Sequence, residues 1–431
     1  MTHLPSNTGL QAPAAPEAGA TVGQWLSWLE SIHPAEIDLG LERVLEVFQR
    51  LFPRRPTARV VTVAGTNGKG STVAALEALL RASGRQTGAY TSPHLVNYNE
   101  RIRIDGTDVS DAALIAAFEE VEAARGSITL TYFEFGTLAA FVVLANAGVQ
   151  DWILEVGLGG RLDAVNVIDA DLAVITSVDV DHVAFLGTNR EIIGLEKAGI
   201  LRPGMPAIVA DTDPPRSVLQ EAVARQANLT RAGRDYTIEE SSDALSATLN
   251  FQDRTIRLPA GPLPVQSVAA AVVAAQILEP ATTDADTEAA LAGVSAPGRF
   301  ELLARHPDVY ADVGHNPHAA RWLCERLQSL ETRGRKVHAV YAALADKDVQ
   351  GVARAMAPVV DCWYLSGLDA PRGLTPEALE TRLAPCKLNQ VQSCNSVAEA
   401  ITAAKGQAGV DDILIVFGSF FTVAEARTLL L

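Results

Sequence analysis

The chain reads as an α/β protein of two layered domains, the first built on a parallel-rich sheet and the second a smaller version of the same architecture. Three observations predict this. From Val60 onward, short apolar runs alternate with longer helix-period segments, the pattern of a parallel sheet covered by helices. The pattern restarts after Ser295-Ala296-Pro297-Gly298, whose Pro-Gly pair marks a turn and a domain seam. The first strand candidate also runs directly into V-A-G-T-N-G-K-G-S-T, Val63 to Thr72, ahead of a helix-like stretch, which gives the first domain the character of a P-loop ATPase fold.

Taken in order, Met1 to Ala20 is rich in Pro and Ala and lacks the charged start and apolar block of a signal peptide, so 1–20 is expected to be a flexible leader. The first domain is expected over 21–296, with strands at Val60 to Ala64, Trp152 to Val156, Leu172 to Ser177 and Pro206 to Ala210. Each ends in polar or glycine residues, where such sheets place their ligands. The helix Ser71 to Ser83 carries Val73, Leu76, Leu79 and Leu80 on one face and stops at Gly84. Thr237 to Leu258 alternates polar and apolar residues, which suits a minor antiparallel patch. Over 297–431 a Rossmann-like domain is expected, with strands at Val309 to Val313, Val337 to Leu344, Asp361 to Leu365 and Ile413 to Phe417. Helices should lie near Pro317 to Glu331, Val349 to Ala357 and Ser396 to Ala408.

The loop Thr66, Asn67, Gly68, Lys69, Gly70 and Ser71 carries the most chemistry. Leaving a buried strand through Gly65, Gly68 and Gly70 lets successive backbone N–H groups face one point, at which the following helix aims its positive end. Phosphate oxygens suit such a nest, and Lys69 adds a mobile cation. The spacing departs from G-x-x-x-x-G-K-[ST] because Gly70 separates Lys69 from Ser71. A turn that only reverses the chain would not need strand, lysine, hydroxyls and helix in this order.

Composition narrows the partners. At 431 residues the chain exceeds one compact core, and a prior of ~150 residues per domain gives two or three. A formal charge of −16 argues against nucleic acid or an anionic membrane, so an anionic ligand must be held by local groups. Cys324, Cys362, Cys386 and Cys394 show no C-x-x-C spacing and indicate neither a zinc site nor a disulfide framework; reduced thiols in the cytoplasm are the simplest reading. Apolar runs such as Phe141 to Val149 and Val268 to Leu278 fall well short of the ~20 residues that span a bilayer, so no membrane partner is expected.

Several single residues admit two readings. Glu155 ends an apolar strand beside Gly157, Gly159 and Gly160, and is either a solvated strand end or a magnesium ligand shared with nucleotide phosphates. His182 is a hydrogen-bonded loop residue or a ligand, Lys197 a helix lysine or a site residue, and Ser92 a turn hydroxyl or a ligand.

Together these residues belong to an ordered series: VAGTNGKGS, TSPHL followed by NERIRIDG, SITLTYFEFGTLAA, EVGLGGRLDAVNVIDAD, DHVAFLG, EKAGI, PGRFE, DVGHNPHAA, DKD and GSF. In this series the chain closely resembles the bacterial bifunctional dihydrofolate synthase/folylpolyglutamate synthase family of the Mur-ligase superfamily, from about Val22 to about Ala426. The resemblance implies ATP-dependent amide formation between dihydropteroate or a reduced folate and L-glutamate. It places ATP on Thr66 to Ser71, Arg299 and Asp312, and Mg²⁺ on Ser92, Glu155 and His182. It makes Lys197 a carbamylated lysine fixing a second magnesium or its waters, which requires a neutral amine against a usual pKa of ~10.4. Catalytic roles fall to Lys69, Lys197, His182 and Glu155, and His315 and Ser419 lie near the incoming glutamate. The pterin falls to Asp38, Leu39, Gly40 and Leu41, to Thr131, Tyr132, Phe133 and Glu134, and to Leu162, Asp163 and Ala164. A monomer that closes one domain on the other is expected.

Three positions depart from the family pattern. Val268 replaces the Asn of Q-x-N-A-A, Phe421 stands where a relative has His, and Val165 interrupts L-D-A-T-N. Val268 implies that one nucleotide contact is lost or replaced. A cell-wall Mur ligase is the competing enzyme reading, against which the pterin-like segments speak. A nucleotide switch would need an N-K-x-D element, which Ala345-Asp346-Lys347-Asp348 is not.

Overall fold

The computed structural model describes residues 14–35, 37–241, 246–330 and 334–431. Residues 1–13 of the expected leader, and Glu331 at the end of an expected helix, lie outside them. Residues 14–20 contain a turn, and Ala15 and Ala20 pack partly on the core, so the end of the expected leader belongs to the fold.

The first domain holds eight strands in one sheet: β1 (Arg59–Ala64), β2 (Thr87–Tyr90), β3 (Ile102–Ile104), β4 (Thr107–Asp108), β5 (Asp151–Glu155), β6 (Leu172–Ile175), β7 (Pro206–Val209) and β8 (Asn228–Arg231). Their order is β4-β3-β2-β5-β1-β6-β7-β8. The six strands from β2 to β8 in that order run parallel, and β3 and β4 add an antiparallel edge. Because successive strand side chains point to opposite faces, Val60, Trp152, Leu154, Ala173 and Ile175 pack on one side and Val61, Val63, Ile153, Leu172 and Val174 on the other. Helices Val22–Leu29, Glu42–Leu51, Asp111–Arg125 and Tyr132–Asn146 supply the first face. The second takes Lys69–Ala82, Val265–Leu278 and an antiparallel sheet of β9 (Tyr236–Glu240), β10 (Ala247–Phe251) and β11 (Arg254–Leu258), the expected minor patch.

The C-terminal domain repeats the plan with β12 (Glu301–Ala304), β13 (Asp308–Asp312), β14 (Val337–Tyr341), β15 (Cys362–Ser366), β16 (Val391–Cys394) and β17 (Ile413–Phe417), ordered β12-β13-β17-β14-β15-β16. All pairs are parallel except β12 with β13. Central β17 divides its residues by parity, Ile413, Ile415 and Phe417 to one core and Leu414 and Val416 to the other. Among the described residues, no helix is long and apolar enough to cross a membrane.

Register fixes where the site must be. β1 lies between β5 and β6, with Val63 beside Glu155 and Ala64 beside Ile175. The loop after β1, the end of β5 and the Thr176 to Asp181 segment therefore leave the sheet at one edge. The helix after the loop starts at Lys69, earlier than the expected Ser71, because the left-handed Gly68 (φ 87°) ends the turn there.

Phe135 anchors the first core, fully buried and edge-on to Trp28 at 6.0 Å and Phe118 at 5.9 Å. Phe135→Ala should cost about 3–5 kcal/mol of unfolding free energy in a urea titration; a change below about 1 kcal/mol would show that this aromatic cluster does not hold the layer.

Candidate active site

The phosphate-loop geometry starts from glycine. A Cβ on Gly65 (φ 156°) would stand 1.8 Å from Thr176 Oγ1, and one on Gly68 would stand 2.5 Å from Ser267 Oγ, so neither position accepts a side chain as the loop is packed. Neighbouring segments lock the turn: Thr66 N–H donates to Ser177 O at 2.7 Å, and Thr176 Oγ1 donates to Asn67 O at 2.7 Å. Lys69 Nζ donates to the carbonyls of Gly65 at 3.1 Å and Thr66 at 3.3 Å. Lys197 Nζ reaches the same Gly65 oxygen at 2.9 Å from beneath. Lys197 is 3% exposed, and burial, reinforced by the Lys69 charge, pushes its amine down to about 7. Ser71 is 1% exposed, and its Oγ has no hydrogen-bond partner among the described residues, an unusual state for a buried hydroxyl.

Acidic and imidazole groups face this loop. Ser92 N–H donates to Glu155 Oε2 at 3.3 Å, and a Cβ on Gly70 would lie 3.6 Å from that same oxygen and 3.4 Å from Arg299 Nη2. Burial raises the Glu155 carboxyl, opposed by Lys69 and Arg299. His182 adopts φ 50° and begins the short helix Val183–Leu186; burial pushes its imidazole down to about 4, against the pull of Asp181, leaving a neutral ring able to ligate a metal. Among the described residues no three His, Cys, Asp or Glu side chains cluster to hold an ion alone. The Ser92 hydroxyl, Glu155, neutral His182 and the orphaned Ser71 hydroxyl nonetheless fit a hard cation that shares its shell with phosphate oxygens.

The second domain closes on the loop through Asp181. Its carboxylate accepts from Lys347 Nζ at 2.7 Å and Asn316 Nδ2 at 3.1 Å, and pairs with His315 Nε2 at 3.2 Å. Burial would raise this carboxyl, but His315 and then Lys347 outweigh it and hold it below the usual carboxylate range. Asn67 and Asn316 exchange side-chain hydrogen bonds at 3.1 and 3.0 Å. Asp312 accepts from the N–H groups of Phe300 and Gly314, and Ser419 Oγ caps the helix Phe420–Leu430 through Thr422 N–H.

The other end of the cleft is aromatic. Tyr132 and Phe133 open the helix Tyr132–Asn146, and a Cβ on Gly157 would meet Phe133 Cζ at 2.5 Å, so the ring lies flat on backbone. Glu134 is committed locally: it accepts from Thr131 N–H at 2.8 Å in a capping box and from Arg43 Nη2 at 2.9 Å, while Arg43 also holds Asp38 at 2.7 Å. Asp163 accepts from Leu158 N–H at 2.8 Å and Val165 N–H at 3.0 Å, and burial pushes its carboxyl up to about 6.

One cleft of about 1490 Å³ joins these ends, lined by every catalytic, ligand or metal candidate named from sequence except Gly40, Leu41 and Lys197. Gly40 and Leu41 follow Leu39 and lead into the helix Glu42–Leu51. Lys197 lies under the loop. Val268 does not line the cleft, whereas Gln266 and Ser267 do; Val165 is core, and Phe421 is 46% exposed at the lining. Sequence reasoning assigned no role to Asp181, Asn316, Lys347 or Arg43, although the first three lie inside segments it singled out.

Residues 63–258 match the Mur ligase middle domain, and residues 298–420 match the Mur ligase glutamate ligase domain. The chain is 44% identical over 412 residues to the dihydrofolate synthase/folylpolyglutamate synthase of Escherichia coli, covering 95% of this chain and 96% of that protein. It superposes on E. coli FolC in complex with DHPP and ADP with a TM-score of 0.91 at 42% identity, covering 96% of this chain and 99% of the other. A bifunctional folylpolyglutamate synthase/dihydrofolate synthase with Mn, AMPPNP and L-glutamate bound gives a TM-score of 0.89 at 40% identity over 97% of this chain and all 100% of that one.

Removing the shared acceptor strands three donors of the second domain. Asp181→Ala should loosen the domain contact, read as a larger radius of gyration in small-angle X-ray scattering with the thermal unfolding of each domain retained. An unchanged radius would show that the Asn67 and Asn316 pair suffices.

Proposed function

Since the chain belongs to the Mur ligase family, as a dihydrofolate synthase/folylpolyglutamate synthase, we propose that its cleft activates a pteridine-bearing acid at the glycine loop and passes it to L-glutamate within one closed site. The chain is an ATP-dependent ligase that joins glutamate to dihydropteroate and to folates. The supporting observation is the continuity of the cleft, from a loop with an orphaned buried hydroxyl to a flat aromatic floor.

A carboxylate resists an amine at neutral pH because oxide would have to leave. In-line transfer of the ATP γ-phosphoryl group to a carboxylate oxygen removes that obstacle: the oxygen–phosphorus bond forms as the bond to ADP breaks, giving an acyl phosphate. Loop N–H groups and Lys69 hold the transferred oxygens and spread their charge. The glutamate amine then adds to the acyl carbon, loses a proton, and the tetrahedral intermediate expels inorganic phosphate to leave the amide. Domain closure through Asp181 keeps water from the acyl phosphate. Tyr132 and Phe133 offer the pterin a flat surface, Arg299 and Asp312 serve the nucleotide, and His315 and Ser419 the incoming glutamate. Ser92, Glu155 and His182 would hold magnesium, with a second ion beside Lys197, supplying Lewis-acid charge to the phosphoryl oxygens. We take the chain to act as a cytoplasmic monomer, with its central unit over 21–296 and its C-terminal unit over 297–431.

Lys197 suits carbamylation because its amine is held near neutrality. Carbon dioxide adds to the free amine, giving an anionic carbamate and releasing a proton. As pH falls through about 7 the ammonium form takes over and the carbamate is lost.

Two measurements test this reading. ADP formation should require both L-glutamate and either dihydropteroate or a reduced folate, with no turnover of nucleotide-linked muramyl acids; turnover of the muramyl acid instead would replace the assignment, and silence with dihydropteroate alone would remove the first activity. Lys197→Ala should lose most activity, roughly a hundredfold or more, and regain part of it with short carboxylic acids that stand in for the carbamate. Full activity without added acid would make Lys197 a structural residue.

A further inference from the structure

Buried guanidinium groups ordinarily pair with a carboxylate, because an unpaired charge away from water is costly. Buried Arg125 pairs with Glu122 at 2.8 Å, and half-buried Arg103 with Glu77 at 2.9 Å. Arg101 does not. It ends the short helix Tyr98–Arg101 and is only 8% exposed, yet makes no ion pair among the described residues. Among the described residues its side chain makes one hydrogen bond, which spends Nε on His94 Nδ1 at 2.9 Å. The guanidinium carbon sits 4.9 Å from the Tyr98 ring centroid and 5.6 Å from that of Tyr132, so two aromatic rings hold the group in place. The Nη edge, which carries the remaining donors in a fork matched to a carboxylate, keeps no hydrogen-bond partner among the described residues. Arg101, His94 and Tyr132 all line the cleft, together with Ser92 and Phe133.

We propose that Arg101 binds a carboxylate of the pteridine-bearing acid, acting as the cationic anchor of the acid-substrate pocket. This assignment rests on the ligase reading above. A substrate carboxylate is favoured over a phosphate because the rings that hold Arg101 belong to the aromatic end of the cleft, while the glycine loop has Lys69 for its own anion. Two carboxylates qualify. Dihydropteroate carries one, which is also the group activated; a folate carries two on its glutamyl tail, one of which is a bystander in any one turnover. An arginine is suited to both, since a planar fork held by rings loses little freedom when it closes on a carboxylate.

The test is a binding cycle on the full chain with ADP and magnesium present. Wild type, Arg101→Met and Arg101→Lys are titrated by calorimetry with dihydropteroate, with tetrahydrofolate and with 6-(anilinomethyl)pterin, which is pteroate without its carboxylate. The expected result is that Arg101→Met weakens at least one acid by roughly ten- to a hundredfold while the decarboxylated analogue changes by no more than about twofold, with Arg101→Lys intermediate. Loss with both acids identifies the activated carboxylate; loss with tetrahydrofolate alone identifies the bystander. Equal losses for acids and analogue would mean that Arg101 only shapes the pocket, and no loss would mean that it does not touch substrate; either overturns the assignment. Should Arg101→Met fail to fold, Arg101→Lys carries the same comparison with the cation retained. Wild type that binds neither acid would remove the ligase reading itself, an outcome distinct from wild-type binding that Arg101 does not influence.

Discussion

The carbonyl oxygen of Gly65 takes hydrogen bonds from two lysines, Lys69 at 3.1 Å and Lys197 at 2.9 Å, and the site is organised around that shared acceptor. Two ammonium groups on one oxygen repel each other, and burial denies them the water that would screen the repulsion. The strain has two exits. Lys197 can shed its proton, as its lowered affinity for one indicates, or an anion can enter the glycine nest and neutralise the pair. A chain of net charge −16 thus concentrates positive potential at the one edge where β1, β5 and β6 end together.

That edge is only half of the site. Asp181 leaves the sheet beside the loop and gathers His315, Asn316 and Lys347 from the other domain, while Asn67 of the loop pairs with Asn316. Groups that would meet the phosphates and groups that would meet the amine are therefore bonded to adjacent atoms of the same short segment. A shift of either domain by a few ångströms would break these bonds.

Strands β1, β5, β6 and β7 and strands β13, β14, β15 and β17 were legible because a sheet covered on both faces leaves continuous apolar runs, and the chemistry-bearing residues could be placed at their ends; β2 is equally buried, but Thr87-Gly88-Ala89-Tyr90 is too short and mixed to make such a run. Edge strands were not: β3, β4, β8, β12 and β16 are short or half-exposed, and β16 shows solvent Val391, Gln392 and Ser393. The helix Tyr132–Asn146 is buried from Glu134 to Leu144, so it has no polar face to give it a period, and only the Thr131 and Glu134 capping box marked its start. Arg43 and Asp181 went unassigned for another reason. Arg43 bonds Asp38 nearby, but the contacts that tie Arg43 to Glu134 and Asp181 to the second domain span 91 to 166 residues, and no local pattern encodes such a pairing.

At the aromatic end the fold fixes its own carboxylates. Glu134 and Asp163, the two carboxylates nearest the rings, already accept backbone N–H groups that hold the helix start and the turn after Gly157. Each has lone pairs left to meet a flat heterocycle, but neither can swing to follow a different ligand without uncapping its own segment. Phe133 packs so closely on the Gly157 backbone that not even a Cβ would fit between them, so the ring is held as firmly as the two carboxylates.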